Sequence, residues 1–293
     1  MKELFEFRIF KDNYHLLSQP NRAVFNGAIW VLKITEEDPL FQEIGRLNEH
    51  FKKKLNDLFY GIGFCSRSYT KRELDSADLL HLFTKKQFQP VGEECGTIYN
   101  DSVACEICGA YPEQTGPLVL KRKSIPKSDV ASTIAGEMVF SEKFVDLFKK
   151  RNFKGANFEP VFFEDGRSDF YQMKFLTPAF SVAKPTKVGL DVFNDMPDYE
   201  DRSWFDQLGR EITERVQFKC PKGHLLGGNL ISELYVDRCI DIFDLDIATT
   251  KQLAGTRMGV IRPSEIFLCS QSLRRMVVDE KLLGFSFDVA HIK

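Results

Sequence analysis

Eighteen apolar residues never run together in this chain, so no transmembrane helix is expected. The opening residues, Met1 to Leu17, lack a basic stretch leading into an unbroken apolar run and a small-residue cleavage site, so no secretory signal is expected either. Excess charge of one sign is also missing. Forty Lys and Arg stand against 42 Asp and Glu, a formal charge of −2 with a pI near 6.3. That balance argues against bulk electrostatic binding of nucleic acid, though not against a local basic patch. Phosphate loops of P-loop or Rossmann spacing, the G-x-S-x-G elbow and H-E-x-x-H are all absent. The glycine-rich turn Gly223-His-Leu-Leu-Gly-Gly228 lacks the Lys-Ser/Thr pair of a phosphate loop and reads as support for the neighbouring Cys220. Disulfide pairing is not indicated: the seven cysteines are odd in number, in a chain of 293 residues that is too long to need staples. A reducing, cytoplasmic compartment is the expectation.

What the chain does have is aromatic bulk, 27 Phe within 43% hydrophobic residues, enough for a substantial core. Leu4 to Phe10 alternates, with Phe5, Phe7 and Ile9 on one face, which predicts a half-buried strand, and Ala28 to Ile34 predicts another. Asp38 as N-cap and Pro39 as the first helical residue open a helix, with apolar residues at helical spacing from Leu40 through Leu58. Its charges, including Lys52, Lys53 and Lys54, read as a solvated face. Thr70 and Glu73 form a capping-box pattern. Strands are expected over Phe170 to Phe180 and Val188 to Phe193, and an acidic, aromatic loop over Asp195 to Asp206.

Two stretches of the chain match one another. Glu137-Met-Val-Phe-Ser141 and Ile266-Phe-Leu-Cys-Ser270 each deliver a short apolar strand into a serine. At the same offset of 129 residues Phe144 meets Leu273, Leu147 meets Met276, Phe148 meets Val277, Gly155 meets Gly284 and Phe158 meets Phe287. Each serine can cap a helix of about three turns, and each glycine can supply the positive φ needed after a helix end. The last strand is expected to return beside or near the first. The fold class is therefore α+β, with two related strand-helix-strand halves and a zinc-knuckle insertion. An N-terminal α+β region is assigned to residues 1–90. A zinc-knuckle-containing α+β domain takes 91–293, with the duplication at about 124–163 and 260–292.

The knuckle is Cys105-Glu-Ile-Cys108-Gly109, two thiolates three apart with a glycine to turn the chain. Upstream, Gly92-Glu-Glu-Cys95-Gly96 keeps the same frame with glycine in place of the first cysteine. A structural zinc requires four ligands, and the remaining cluster is Cys220-Pro-Lys-Gly-His224. One arrangement is Cys95, Cys105 and Cys108 completed by Cys220 or His224. The other is Cys105, Cys108, Cys220 and His224, with Cys95 spare. A redox dithiol is disfavoured because no helix pattern follows Cys108 to lower a thiolate pKa. Cys65, Cys239 and Cys269 lie among apolar neighbours and are assigned to core packing.

These motifs, together with Ser232-Glu-Leu-Tyr-Val236, Arg262-Pro263 and the ending Phe287-Asp-Val-Ala-His291, resemble a bacterial family named for its double C-x-x-C-G motif. The resemblance covers roughly residues 90 to 293. Some members of that family are described as immunity proteins encoded beside contact-dependent toxins. The resemblance implies a zinc-binding cytoplasmic protein of protective or unassigned function. It supplies no catalytic residues.

Three functions follow, none with a catalytic residue assigned by motif. The first is a zinc protein acting by protein–protein interaction, an immunity protein neutralising a toxin, with Tyr199, Asp201, Trp204 and Phe205 of the acidic loop as partner-binding residues. The second is a nucleic-acid-binding zinc protein using Lys121-Arg-Lys123 and Lys149 to Lys154. The third is a metal-dependent nuclease or hydrolase using Glu233, Asp237, Asp241, Asp244 and Asp246. In that setting His291 reads as a satisfied side chain.

Overall fold

A computed structural model describes the chain except for residues 55–57, 175–177, 190–191, 194–198, 206–210, 218, 240–244, 256 and 258. Along 60–64, 199–205 and 211–217 it describes the backbone alone.

The N-terminal strand Lys2–Ile9 lies between Trp30–Ile34 and Phe59–Ser68, with Val24–Phe25 at the outer edge. Its alternation has the expected result: Phe5, Phe7 and Ile9 bury against Leu40, Phe41 and Ile44 of helix α1 (Pro39–Lys53). Asp38 caps that helix by accepting the Leu40 amide at 3.0 Å. The helix ends at Lys53, and Leu58 joins the same core from beyond its end. Helix α2 (Lys71–Ser76) opens with the Thr70–Glu73 capping box.

The rest of the chain forms two larger sheets. One closes into a six-stranded barrel in the order Phe180–Val182, Leu234–Arg238, Phe285–Ile292, Leu79–Thr84, Ser264–Cys269, Ile247–Ala254. The other has the order Asn157–Phe163, Gly166–Lys174, Met138–Ser141, Val130–Thr133, Gln87–Phe88. Leu79–Thr84 sits inside the barrel, so the boundary expected at residue 90 falls within the larger unit. The N-terminal sheet is complete by Ser68.

Helices α3 (Glu142–Lys150) and α4 (Gln271–Asp279) start 129 positions apart and have matching caps. Ser141 Oγ accepts the Phe144 amide at 3.3 Å and Ser270 Oγ accepts the Leu273 amide at 3.1 Å. Past the helix ends, Asn152 and Lys281 both adopt positive φ, 54° and 52°. The last strands return near the first, as expected, but not directly beside it. Asn157–Phe163 is separated from Met138–Ser141 by Gly166–Lys174, and Phe285–Ile292 is separated from Ser264–Cys269 by Leu79–Thr84. Each strand-helix-strand segment thus takes its central strand from elsewhere in the chain. Strand directions agree as well: Gln87–Phe88 runs parallel to Val130–Thr133, as Phe180–Val182 does to Ile247–Ala254.

Reciprocal contacts join the two segments. The Asp129 carboxylate accepts from Ser141 Oγ at 2.8 Å and from the Leu283 amide at 2.7 Å. The Asp246 carboxylate accepts from Ser270 Oγ at 2.9 Å and from the Lys154 amide at 3.1 Å. Leu283 and Lys154 are themselves equivalent under the 129-residue offset, and so are Arg151 and Glu280, which pair with one another at 2.9 Å. Between the segments lies one shared core in which Phe144 packs on Phe140 at 4.8 Å and on Phe285 at 5.3 Å between ring centroids.

Candidate metal centre

Two loops outside these sheets carry the metal-ligand residue types. The first lies between Gln87–Phe88 and Val130–Thr133. It closes on itself where the Cys105 amide donates to Ala110 O at 2.9 Å and the Gly109 amide donates to Cys105 O at 2.7 Å. Gly109 turns the chain at φ +66°, and a Cβ there would lie 2.8 Å from Arg257 Cδ. The second loop lies between Phe180–Val182 and Ile247–Ala254. Its Gly223 amide donates to Cys220 O at 2.8 Å, with φ +76° at Gly223. The barrel holds this turn in place: His224 O accepts the Leu253 amide at 2.8 Å, and Leu225 bridges Leu253.

The two loops bring Cys105, Cys108, Cys220 and His224 together, with one potential ligand atom from each lying within 4.8 Å of the others. Cys105 Sγ is 3.9 Å from Cys220 Sγ, and His224 Nδ1 is 3.9 Å from both Cys108 Sγ and Cys220 Sγ. A tetrahedral ion with bonds of about 2.3 Å to sulfur and about 2.0 Å to nitrogen requires edges of roughly 3.6–3.8 Å. The three 3.9 Å separations lie within a few tenths of an ångström of such edges, and all four donors are close enough together to surround one ion. This is the second of the two expected arrangements. Cys108 and Cys220 are buried in a small cluster with Ala110, Leu225 and Leu253. Burial pushes the Cys108 thiol up to about 12. Burial opposes ionisation of Cys105 too, but the amides of Ile107 and Cys108 bring it down to about 6. A cation here would favour the thiolate form of every cysteine, since metal and proton compete for the same sulfur.

The surroundings hold the ligands in place. Tyr111 meets the His224 ring edge-on at 5.6 Å, and its hydroxyl donates to Lys251 O. Lys222 and Glu106, one from each loop, form an exposed ion pair at 3.0 Å. The buried Arg262 donates to Asp101 and Glu93, both at 2.9 Å, and stacks over Tyr99. Through these contacts the arginine of the Arg262-Pro263 motif ties the first loop to the segment ahead of Ser264–Cys269.

Cys95 is not among the four. It ends the short turn Glu93–Cys95, half-buried, beside the Lys121 backbone and Glu137. The glycine at 92 has a physical reason: a Cβ there would lie 2.5 Å from Glu137 Oε1 and 2.6 Å from Leu118 Cδ1, so a cysteine would have to displace the Glu137 carboxylate and the Leu118 side chain. Glu137 fills that space, accepting from the Gly92 amide, Tyr99 and Thr133. Of the cysteines assigned to the core, Cys269 is buried, Cys65 is half-buried and Cys239 is exposed, which corrects the assignment of Cys239.

The remaining candidates do not assemble into a second centre among the described residues. Glu233 accepts from Tyr69 and pairs with His291 Nε2, both at 2.9 Å, so His291 is satisfied as expected. Asp246 is occupied at the α4 cap, and Asp237 lies on Leu234–Arg238. Asp241 and Asp244 fall outside the described residues. Of the basic stretches, Arg122 pairs with Asp165 at 3.2 Å and Arg151 with Glu280. The segment expected to be an acidic loop is in part a strand: Tyr199–Phe205 pairs with Glu211–Gln217 as an antiparallel ribbon. The side chains of Tyr199, Asp201, Trp204 and Phe205 lie outside the described residues.

No protein-family model and no curated protein matches the chain. No helix among the described residues is long and apolar enough to cross a membrane.

Proposed function

We propose that the centre holds one structural Zn²⁺ and that the protein acts by protein–protein contact, as an immunity protein whose partner is a toxin. The observation that carries the metal reading is the donor set itself, three sulfurs and an imidazole nitrogen all within 4.8 Å of one another, with three of the separations at 3.9 Å. Soft thiolates with one imidazole favour zinc over the hard, oxygen-seeking cations. Four protein ligands fill the coordination sphere and leave no position for a reacting water, so the ion's role is to join the two loops.

The finer architecture belongs to the same proposal. The two strand-helix-strand segments are related halves, each with its own insertion, and each insertion contributes two ligands. The shared caps, equal strand directions and reciprocal Asp129 and Asp246 contacts support this reading. The interaction role is supported by the double C-x-x-C-G resemblance and by the engagement of Glu233 and Asp246 in structural hydrogen bonds.

Co-expression with the product of a toxin-like open reading frame beside this gene tests the role. Growth should be rescued by the full chain, with the two proteins co-purifying. Persistent toxicity despite soluble, metal-loaded protein would contradict it.

A further inference from the structure

A cleft of about 530 Å³ opens where the N-terminal sheet meets the barrel. Arg67, His81 and Asp288 share it with the rings of Phe83 and Phe267. We infer that this cleft binds an organic cation, an alkylammonium or guanidinium group on an aliphatic stem, with Asp288 as its counter-charge.

The argument rests on how the local cations are already used. Arg67 is nearly buried, with 5% of its side chain exposed. Its Nε donates to Glu3 Oε1 at 2.7 Å and its Nη2 to Ile231 O. Asp288 is left with Arg67 Nη1 at 3.7 Å, beyond hydrogen-bonding length, although only 14% of its side chain is exposed. Two carboxylates, Glu3 and Asp288, thus share one guanidinium, and Glu233 close by is engaged with Tyr69 and His291. The other arginine of the cleft, Arg262, is committed to Glu93 and Asp101.

A carboxylate held out of water without a full partner is costly, and a ligand cation would remove that cost. Burial moves Asp288 up to about 6, the direction expected for a carboxylate short of counter-charge. His81 is paired with Asp288 in strand register and has no hydrogen-bond partner among the described residues. Burial lowers its pKa to about 4, with Arg67 adding to the effect, so at neutral pH it offers an uncharged imidazole. Phe83, whose ring meets that of His81 at 5.2 Å between centroids, gives the stem an aromatic wall.

Cys65 also lines the cleft, and Cys65, His81 and Asp288 have the composition of a cysteine hydrolase site. Burial pushes that thiol up to about 11 while keeping the imidazole neutral, the opposite of a thiolate–imidazolium pair. Recognition fits the site and nucleophilic chemistry does not.

The test is a calorimetric titration of the full, metal-loaded chain at pH 7.5 with agmatine, with butyrate as an anionic control. The His81 ring resonances are followed in parallel. Agmatine should bind with a dissociation constant below about 1 mM and move the His81 signals, while butyrate does neither. Asp288→Asn, checked for folding by circular dichroism, should bind agmatine at least tenfold more weakly. A blocked Gly-Arg-Gly peptide separates the sources: binding of both probes indicates a partner's arginine, and binding of agmatine alone a free small cation. The inference is overturned if agmatine leaves the His81 resonances unmoved, if butyrate binds equally well, or if folded Asp288→Asn retains wild-type affinity.

Discussion

Gly284→Ala and Gly155→Ala should each destabilise the protein by about 3–5 kcal/mol, lowering Tm by on the order of 10 °C. Two terms add at each position. The backbone is in the left-handed region, φ +96° at Gly284 and +114° at Gly155, where an L side chain costs roughly 1–2 kcal/mol. The new Cβ would also lie 2.2 Å from Val130 O in one case and 1.8 Å from Ile247 O in the other. Those carbonyls belong to barrel and sheet strands and cannot move without opening the contact between the two segments. Gly166 is the control: its φ is +125° with nothing within 4 Å of the added carbon, so Gly166→Ala should show the backbone term alone. Thermal unfolding of the three variants checks this. Losses at 155 and 284 no larger than at 166 would mean that the segments do not meet as described.

Cys220→Ser should have an effect of similar or greater size but of a different kind. Structural zinc contributes about 10–16 kcal/mol of binding free energy in small zinc-finger peptides, and removing one ligand forfeits much of that. Around Cys220 the compensating core is small, chiefly Cys108, Ala110, Leu225 and Leu253. The loss should therefore be local. Amides of residues 105–111 and 220–226 should exchange quickly while those of α3 and α4, anchored in the shared phenylalanine core, keep their protection. Hydrogen exchange measured by mass spectrometry separates this from global unfolding, in which all four segments would lose protection together.

Local signals were the most legible in the sequence. The Asp38 and Thr70 caps, the alternation of Phe5, Phe7 and Ile9, and the matched serines 141 and 270 depend on residues a few positions apart, and each has its expected structure. The strand over Phe170 onward was legible in part, but the placing of Gly166–Lys174 and Leu79–Thr84 between the strands of each segment was not. Leu79–Thr84 and Gly166–Lys174 precede insertions of unequal length, so a comparison at one fixed offset passes over them. Asp129 and Asp246 escaped for the same reason, lying 12 and 24 residues ahead of the serines they hold. The metal residues were readable as types but not as a set. Spacing left Cys95 and the Cys220–His224 turn both open as partners of the knuckle, whereas folding brings in that turn from 115 residues beyond Cys105 and packs Gly92 against Glu137.

Metal content tests the central claim most directly. Wild-type protein purified without added metal should carry one zinc per chain by elemental analysis. Cys95→Ser should retain it, and Cys105→Ser and Cys220→Ser should each lose it. Retention of zinc by Cys220→Ser together with its loss from Cys95→Ser would contradict the account.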